Sequence, residues 1–481
     1  MIEKKEFYID GKWAMPAVAN DLDVIDPSTE EVCAVISVGS AEDVNHAVAA
    51  AKRAFDSWSQ TRPEERLAYV EKILEIYQQR SGDMAKAISL EMGAPIDLAT
   101  NSQVTSGTWH ISNFITAFKD FEFLRPLGPH APNDRIAMEP IGVVGLITPW
   151  NWPMNQVTLK VIPAMLAGCT MVLKPSEVAP LSSIVFAEIV HAAGVPAGVF
   201  NMVNGDGVGV GAALSGHPDV EMISFTGSTR AGKAITKNAA DTLKRVNLEL
   251  GGKGANIIFA DADDAAVKRG VKHVFNNSGQ SCNAPTRMLV QAPVYERAVE
   301  IAREVADATK VASAHEKGGH MGPVVSEAQY ERIQELIQKG IDEGARLVSG
   351  GTGRPAGLNR GYFVRPTVFA DVNNDMTIAR EEIFGPVLSI IPFETEEEAV
   401  KIANDTIYGL TNYVQSQDGA KRNRIARRLR SGMVEMNGQS RGAGAPFGGV
   451  KASGRAREGG TWGLDEFLEV KSISGWSNDA A

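Results

Sequence analysis

The sequence predicts an α/β protein that contains a doubly wound sheet of the nucleotide-binding type. Short apolar runs at 199–203 and 221–225 are each followed by a glycine and then by helix-like sequence. Apolar strands that alternate with helices are typical of parallel βαβ units. The 481 residues are 44% hydrophobic and 22% charged, which excludes a disordered or collagen-like chain.

The first 140 residues precede this alternating pattern. Residues 1–30 alternate polar and apolar side chains around Gly11 and Pro27, which favours a hairpin region. From 41 to about 117 the apolar spacing becomes helical, and Ser40 begins a helix-start pattern. Residues 121–140 are extended and rich in proline, so they predict an arm or a linking strand.

From residue 141 onwards, strands and helices alternate. The predicted strands of the first half are 141–148, 170–174, 199–203 and 221–225, with a helix from about Ser182. After Gly251 the predicted elements are a strand at 255–259, a helix ending at Asn276, a strand at 288–290, a helix from Val294 and a strand at 387–393. A second α/β domain is the simple interpretation, and the chain ends with a predicted strand at 467–474.

Charge and cysteine content exclude several classes of function. The chain has 48 Lys plus Arg against 58 Asp plus Glu, a net charge of −10, which argues against a surface that coats nucleic acid or membrane. Three cysteines cannot form a paired disulfide framework, and no CxxC or HxxxH spacing offers a metal site. With no secretory signal and no apolar run near the ~18 residues of a membrane span, we expect a cytoplasmic protein.

Cys282 is the cysteine whose surroundings suggest chemistry. It lies in a loop of small residues at 276–287, which favours an exposed nucleophile, whereas Cys33 and Cys169 stand in apolar settings typical of packed thiols. Glu249, 33 residues earlier in a glycine-flanked turn, could serve as a general base if burial raised its pKa. Taken alone, it is more typical of a surface acid. No protease-like histidine partner is evident, and His110, His191 and His273 indicate packed or surface residues.

Two glycine-rich turns are candidates for binding phosphate. Residues 205–212 contain a GxGxxA match, and residues 227–232 also lie between a strand and a helix. Each pattern is equally typical of a structural turn. The KPSE segment at 174–177 offers a carboxylate for ribose hydroxyls, or else a capping arrangement at a helix start.

Seven segments together resemble the aldehyde dehydrogenase superfamily, over a span from Phe7 to Ile473. They are TPWNWP (148–153), KPSE (174–177), FTGSTRAG (225–232), LELGGK (248–253), GQSC (279–282), EEIFGPV (381–387) and PFGGVKASG (446–454). The resemblance implies a Rossmann-like NAD-binding domain (1–120 and 141–250), an α/β catalytic domain (251–450) and a small β oligomerisation arm (121–140 and 463–481). It also implies a homodimer or a homotetramer.

The resemblance implies a catalytic cysteine mechanism. Cys282 would attack the aldehyde to form a thiohemiacetal, with the oxyanion held by the Asn151 amide and the Cys282 backbone N–H. Glu249 would activate water against the resulting thioester, which favours release of a free acid because relatives that acylate coenzyme A generally lack this glutamate. Lys160 and Glu458 match positions that relay protons in relatives, or else form an ordinary ion pair.

The resemblance also implies an NAD site, and it favours the second glycine turn. The matching residues are Gly227 and Ser228 for pyrophosphate, Gly207 beside adenine, Glu382 and Phe384 for the nicotinamide ribose and ring, and Ile147, Trp150, Lys174, Glu177 and Leu250 along the same site. A carboxylate at Glu177 repels a 2′-phosphate, so NAD is expected, with NADP as the open alternative.

The implied substrate is a small-molecule aldehyde, either aliphatic or an ω-oxo acid as in bacterial semialdehyde-type members. The matching pocket residues are Trp152, Asn155, Leu159, Ser281, Asn283 and Phe447. Arg441 is expected near the mouth, where we hypothesise that it binds a distal carboxylate; a solvated loop arginine is the alternative. Two other functions stay open, namely a catalytically silent structural relative and a cysteine-dependent esterase.

Overall fold

The structure, a computed structural model, describes residues 1–477, and it begins with strands and a helical layer. The strands are β1 (Ile2–Lys4), β2 (Phe7–Ile9), β3 (Lys12–Ala14), β4 (Asp21–Asp26) and β5 (Glu31–Ser37). The helices are α1 (Ala41–Trp58), α2 (Pro63–Gln79), α3 (Ser81–Met92), α4 (Ile96–Leu98), a π-helical turn (Ala99–Gln103) and α5 (Val104–Lys119). The predicted hairpin around Gly11 is confirmed, as is the helix start, where the Ser40 backbone N–H donates to the Asp43 carboxylate at 2.8 Å.

The middle of the chain alternates strands and helices as predicted. Its elements are β6 (Leu124–Gly128), β7 (Ala131–Pro140), β8 (Val143–Ile147), α6 (Pro153–Ala167), β9 (Thr170–Lys174), α7 (Leu181–Ala192), β10 (Phe200–Met202), a π-helical turn (Gly207–Gly211), α8 (Ala212–Gly216), β11 (Met222–Thr226), α9 (Thr229–Ala239) and β12 (Arg245–Glu249).

The alternation continues to the end of the described chain. The elements are β13 (Ala255–Ile258), α10 (Ala266–Phe275), β14 (Arg287–Gln291), α11 (Tyr295–Ala308), α12 (Glu327–Asp342), β15 (Arg346–Ser349), β16 (Thr367–Ala370), α13 (Thr377–Arg380), β17 (Val387–Phe393), α14 (Glu396–Asn404), β18 (Thr411–Gln415), α15 (Gly419–Arg428), β19 (Met433–Met436), α16 (Gly460–Asp465) and β20 (Leu468–Ser474).

Two seven-stranded sheets confirm the predicted α/β fold class. The first has the order β12-β11-β8-β9-β10-β2-β3, in which β8 to β12 are parallel and β2 and β3 add an antiparallel edge. The second has the order β15-β16-β17-β14-β13-β18-β19 and is parallel except for β15. Because parallel strands end at one edge of a sheet, the loops that follow them are brought together there.

The extended segment and the C-terminal strand form a separate small sheet. Its order is β20-β7-β6, and β20 pairs antiparallel with β7 along its whole length, from Leu468 opposite Pro140 to Ser474 opposite Asp134. The predicted strand at 467–474 is therefore confirmed, with its partner in the same chain. Residues 478–481 of the predicted arm lie outside the described residues. The domain boundaries and the use of this sheet in assembly stay predictions.

Helix α6 packs at the centre of the molecule. Pro153 occupies its first turn, where a missing N–H is tolerated, and Gly168 ends it with a left-handed φ of 95°. All of its residues except Asn155 are buried. The helix therefore carries polar side chains such as Lys160 into the interior, where they need partners. Within residues 1–477, no helix has both the length and the apolar character to span a bilayer.

Candidate active site

Two clefts border Cys282. The first, which we call the α5/α6 cleft, has a volume of about 200 Å³; the second, the α9 cleft, lies at the start of α9 and has a volume of about 540 Å³. Asn151, Gln156 and Cys282 line both clefts. A thiol and two carboxamides therefore stand where the two spaces meet.

Most of the predicted site residues line one of these two clefts. The α5/α6 cleft is lined by all seven predicted substrate residues and by Glu458, namely Trp152, Asn155, Leu159, Ser281, Asn283, Arg441, Phe447 and Glu458. The α9 cleft is lined by six predicted cofactor residues, namely Trp150, Gly227, Ser228, Leu250, Glu382 and Phe384. The other four, Ile147, Lys174, Glu177 and Gly207, do not line it.

The segment that carries Cys282 follows α10 through a strained turn. Asn277 and Ser278 have left-handed φ angles of 50° and 56°. This backbone conformation is unfavourable for residues other than glycine, so it persists only where the surroundings hold it. Here the Asn277 amide donates to the Asn151 carbonyl oxygen at 2.9 Å, and the Ser278 hydroxyl donates to the Gly322 carbonyl oxygen at 2.8 Å.

Asn151 is buried and held at both its side chain and its backbone. Its Nδ2 donates to the Gln280 carbonyl oxygen at 3.0 Å, and its own carbonyl oxygen also accepts from Gln103 Nε2 at 3.1 Å. Gln103 comes from the π-helical turn before α5 and is fully buried. Because a primary amide has two N–H donors, one Asn151 donor is committed to Gln280 and one is left over at the cleft.

Cys282 is partly buried and borders both clefts, and its role as an exposed nucleophile stays a prediction. Burial raises the pKa of the Cys282 thiol, and the carboxylates of Glu382 and Glu249 raise it further. A Cβ on Gly252 would lie 2.3 Å from the Cys282 carbonyl oxygen, so the turn after β12 packs directly against the cysteine backbone. The thiol therefore needs a base or a change in its surroundings before it becomes a thiolate.

Glu249 ends strand β12 and is only 2% exposed, so its interpretation as a surface acid was wrong. Neither of its oxygens has a hydrogen-bond partner among the described residues. Burial raises the pKa of Glu249 well above its usual range; Glu458 raises it further, while Lys160 lowers it. Burial therefore favours the neutral form of the Glu249 carboxyl group.

Lys160 and Glu458 form a buried ion pair beside this carboxyl group. The Lys160 ammonium donates to Glu458 Oε1, and both side chains are almost fully buried. The second oxygen of Glu458 has no partner in the described chain. The two predicted relay residues are therefore together, and Glu458 connects them to the α5/α6 cleft.

The α9 cleft has the donors and walls that an anionic, partly aromatic molecule needs. Ser228 caps α9, and its hydroxyl accepts from the Ala231 backbone N–H at 3.2 Å. The first N–H groups of a helix have no helical partner and attract anions. Thr226 Oγ1 is buried there without a partner among residues 1–477, and the rings of Trp150 and Phe384 meet edge to face with their centres 5.5 Å apart.

Glu382 borders the α9 cleft and is bonded to the turn that follows β12. Its Oε1 accepts from the Gly252 backbone N–H at 2.7 Å, and burial raises its pKa to about 7. A Cβ on Gly251 would lie 2.1 Å from its other oxygen, so only glycine allows this approach. The carboxyl group is held in place and still borders the cleft.

The KPSE segment lies at the carboxyl edge of the same sheet. Lys174 pairs in register with Ile147 on the neighbouring strand, and its ammonium contacts Glu177 Oε2 at 3.1 Å. Helix α7 begins only at Leu181, so the alternative of a capping arrangement was wrong. Gly207 opens the π-helical turn Gly207–Gly211 next to this pair.

Two pairs of polar side chains in the α5/α6 cleft are bonded to each other. His110 Nε2 and Asn155 Oδ1 are 2.7 Å apart, and Trp152 Nε1 donates to Ser281 Oγ at 2.8 Å. Burial lowers the pKa of His110 to about 4, so the imidazole is neutral at physiological pH. Sequence reasoning missed His110 as a lining residue, since nothing in its spacing distinguishes it from other residues of the helix.

Arg441 lines the α5/α6 cleft, where it was predicted. Its guanidinium lies 4.6 Å from the centre of the Phe447 ring, and its Nε is 3.4 Å from Glu435 Oε1. Burial raises the pKa of Glu435, and Arg441 lowers it. Arg441 is thus a loop residue with a 28% exposed side chain that is stacked and paired, and its binding of a distal carboxylate stays a prediction.

The sequence matches the model of the aldehyde dehydrogenase family over residues 13–473. The chain belongs to the aldehyde dehydrogenase family. Membership makes it an enzyme that oxidises an aldehyde to the acid. This agrees with the placement of a thiol and a carboxamide at the junction of the two clefts.

Relatives of this aldehyde dehydrogenase match over nearly the full chain. A 3-succinoylsemialdehyde-pyridine dehydrogenase from Pseudomonas is 49% identical over 478 residues, covering 99% of both chains. The crystal structure of an aldehyde dehydrogenase from Bartonella henselae has a TM-score of 0.98 and 65% identity, covering 99% of this chain and 100% of that one. A mutant of aldehyde dehydrogenase C from Pseudomonas syringae, in complex with NAD+ and octanal, has a TM-score of 0.96 and 48% identity, covering 99% and 98%.

Proposed function

We propose that this enzyme oxidises an aldehyde to the free carboxylic acid with NAD as cofactor and Cys282 as nucleophile. The observation that carries the proposal is the meeting of two clefts at Cys282 and Asn151. A substrate in the α5/α6 cleft and a cofactor in the α9 cleft would touch the same thiol from opposite sides. Such positioning converts a reaction between separate molecules into one between groups already in place.

The residues of the α9 cleft fit a dinucleotide. The backbone of Gly227 and Ser228 at the start of α9 would hold the pyrophosphate, and Glu382 would accept hydrogen bonds from a ribose. Trp150 and Phe384 would enclose the nicotinamide. When bound, the cofactor supplies the hydride acceptor. The NAD+ complex of the Pseudomonas syringae relative supports this assignment.

The position of Glu177 supports NAD over NADP. Its carboxylate is beside Lys174 at the carboxyl edge of the sheet, where it would accept hydrogen bonds from the adenosine ribose hydroxyls. A 2′-phosphate would place a second negative charge against this carboxylate. Ile147, Gly207 and Leu250 would complete the walls around the adenosine half of the cofactor.

Cys282 and Asn151 would carry out the first chemical step. The deprotonated sulfur attacks the aldehyde carbon, and the carbonyl electron pair moves onto oxygen. The uncommitted Asn151 N–H and the Cys282 backbone N–H donate to this oxyanion. The oxyanion electron pair would then re-form the C=O bond while the carbon gives up its hydride to the bound cofactor, which leaves a thioester on Cys282.

The second step belongs to Glu249. A water molecule gives a proton to the Glu249 carboxylate and attacks the thioester carbon, the C–S bond breaks, and the acid leaves. The raised pKa of Glu249 makes its carboxylate a stronger base. Lys160 and Glu458 would carry that proton from the buried carboxyl group towards the α5/α6 cleft.

We propose an aliphatic or ω-oxo-acid aldehyde as substrate. Trp152, Leu159 and Phe447 provide the apolar walls for a carbon chain, and Asn155, Ser281 and Asn283 border it. Arg441 provides the positive charge that a distal carboxylate would need. The octanal complex of one relative and the semialdehyde substrate in the name of another support this class.

We also propose that the predicted domains and arm describe the assembled enzyme. Residues 1–120 with 141–250 would bind NAD, 251–450 would complete the catalytic domain, and 121–140 with 463–477 would form the arm of a homodimer or homotetramer. The small sheet supports the arm, because its strand β20 presents Val470 with 65% exposure.

A direct test compares NADH formation by wild-type enzyme and Cys282→Ala with a panel of butanal, hexanal, octanal and succinic semialdehyde. We expect NADH from the wild type and none above background from the variant. No NADH from wild type with any aldehyde would contradict the proposal. Ester hydrolysis without NAD, in an enzyme inactive with every aldehyde, would instead support the esterase alternative, and inactivity in both assays would support a silent structural relative.

A further inference from the structure

One buried carboxamide at the junction of the clefts has no part in the reaction described above. Gln156 lies on α6, is 4% exposed, and lines both clefts with Asn151 and Cys282. Its Oε1 has no hydrogen-bond partner among the described residues. A buried acceptor without a partner costs free energy, so its presence here suggests that a reactant or a water bonds to it during the reaction.

Three other polar side chains of the α5/α6 cleft, which Cys282 also lines, have partners within the protein. Asn151 Nδ2 donates to Gln280, Trp152 Nε1 donates to Ser281, and Asn155 contacts His110. Two further residues of the α5/α6 cleft, Asn113 and Glu458, also have a buried atom without a partner, but neither lines the α9 cleft. Within the described chain, Gln156 is thus the buried unpartnered group that borders both spaces.

The geometry of α6 connects Gln156 to the proposed base. Lys160 follows Gln156 by four residues, so the two side chains lie on the same face of the helix, one turn apart. Lys160 is bonded to Glu458, which in turn acts electrostatically on Glu249. Gln156 thus borders the clefts beside the nucleophile, and it shares its face of α6 with the lysine of the Lys160–Glu458 pair.

We propose that Gln156 is a catalytic residue that holds the water for hydrolysis of the Cys282 thioester, an inference that rests on the proposed function. A buried water needs two to four polar partners, and Glu249 supplies only one of them. Gln156 Oε1 accepts one hydrogen of the water while Glu249 takes the other as a proton. The water oxygen bonds to the thioester carbon, the C–S bond breaks, and its electron pair stays on the Cys282 sulfur.

The test separates acylation from hydrolysis by stopped-flow measurement of NADH formation with hexanal and NAD. Gln156→Met keeps the length of the side chain and removes the acceptor. We expect kcat to fall about tenfold while the rate constant of the first turnover stays within about twofold. The ratio of the first-turnover rate constant to kcat should therefore rise about tenfold. Acid-quenched samples should show a hexanoyl group on the Cys282 peptide by mass spectrometry.

Thr158→Val is the matched control, because it removes a buried hydroxyl from the same helix without bordering either cleft. We expect its ratio to equal that of wild type. If Gln156→Met unfolds below the assay temperature, Gln156→Asn is the second variant. Its side chain is one methylene shorter, which moves the amide away from the water, so the ratio of the first-turnover rate constant to kcat should rise in the same way.

Two results would overturn the inference. In one, the first turnover slows together with kcat, which would place Gln156 in acylation or hydride loss. In the other, kcat is unchanged. Failure of the proposed function is distinguishable from both, because wild-type enzyme would then form no NADH in the first turnover or later.

Discussion

Asn151 Nδ2 is hydrogen-bonded to the backbone carbonyl oxygen of Gln280 at 3.0 Å. Asn151 follows strand β8 of the first sheet, and Gln280 stands two residues before Cys282. This bond therefore joins the segment that carries the carboxamide to the segment that carries the nucleophile, although the two are far apart in sequence. The carbonyl oxygen of Asn151 is held as well, by Gln103 and Asn277, so its free N–H is oriented before substrate arrives.

We expect Asn151→Ala to lower kcat by about 10²–10³-fold, the usual cost of removing one oxyanion donor. NAD affinity, measured by fluorescence titration, should stay within about twofold, because the variant leaves the start of α9 intact. Equal loss of NAD binding and of kcat would show that Asn151 acts through the fold of the site and not as a donor.

We expect Lys160→Met to shift the pH dependence of thioester hydrolysis to higher pH. The positive charge of Lys160 lowers the pKa of Glu249, so its removal raises that pKa. A general base works when deprotonated, and its rate therefore rises with pH through its pKa. The measurement is kcat against pH under conditions where hydrolysis limits turnover, and an unchanged profile would contradict the link between Lys160 and Glu249.

We expect Glu458→Gln to shift the same profile in the opposite direction. The Glu458 carboxylate raises the pKa of Glu249, so a neutral amide in its place lowers it. The variant also leaves the Lys160 ammonium buried without its anionic partner, which should reduce the free energy of unfolding by about 3–5 kcal/mol in urea titrations. If the pH profiles of Lys160→Met and Glu458→Gln shifted in the same direction, the shifts would come from a disturbed structure and not from the change in charge.

We expect Glu177→Gln to raise kcat/KM for NADP relative to NAD by about tenfold, because it removes a charge that repels the 2′-phosphate. The ratio is measured with one aldehyde at fixed concentration, with wild type as the reference. A wild-type enzyme that favours NADP by tenfold would contradict the assignment of NAD.

We expect Arg441→Ala to raise KM for succinic semialdehyde by about tenfold and to leave KM for hexanal unchanged, because only the first substrate has a distal carboxylate. Glu435→Gln is the matched variant. It releases the Arg441 guanidinium from its ion pair and should lower KM for succinic semialdehyde. An equal effect of Arg441→Ala on both substrates would contradict carboxylate recognition.

Local sequence was sufficient where structure depends on local interactions. The strand at Thr170–Lys174 and the start of α1 after Ser40 follow from apolar spacing and capping chemistry, which act over a few residues. The motifs also identified residues that line each cleft, since an enzyme of this family uses the same side chains at the same places. Ile147, Lys174, Glu177 and Gly207 do not line the α9 cleft, although Ile147 and Lys174 are neighbours at the sheet edge.

The interpretation of Glu177 shows the limit of local reasoning. A carboxylate shortly before a helix is typical both of a cap and of an acceptor for ribose hydroxyls. Only the start of α7 at Leu181 and the contact with Lys174 decided against the cap. In the same way, nothing in the spacing of His110 or Gln156 distinguishes them from ordinary helix residues.

The sequence by itself determined the fold class, the family and the identity of the proposed nucleophile, because strand periodicity and motif order are properties of the chain. The tertiary structure decided how buried each reactive group is and which charges surround it. Glu249 was expected at the surface when taken alone, yet it packs against Gly448, about 200 residues later, and burial raises its pKa, which the Glu458 carboxylate raises further. Burial and electrostatic potential are sums over neighbours in space, so no local pattern of residues could specify them.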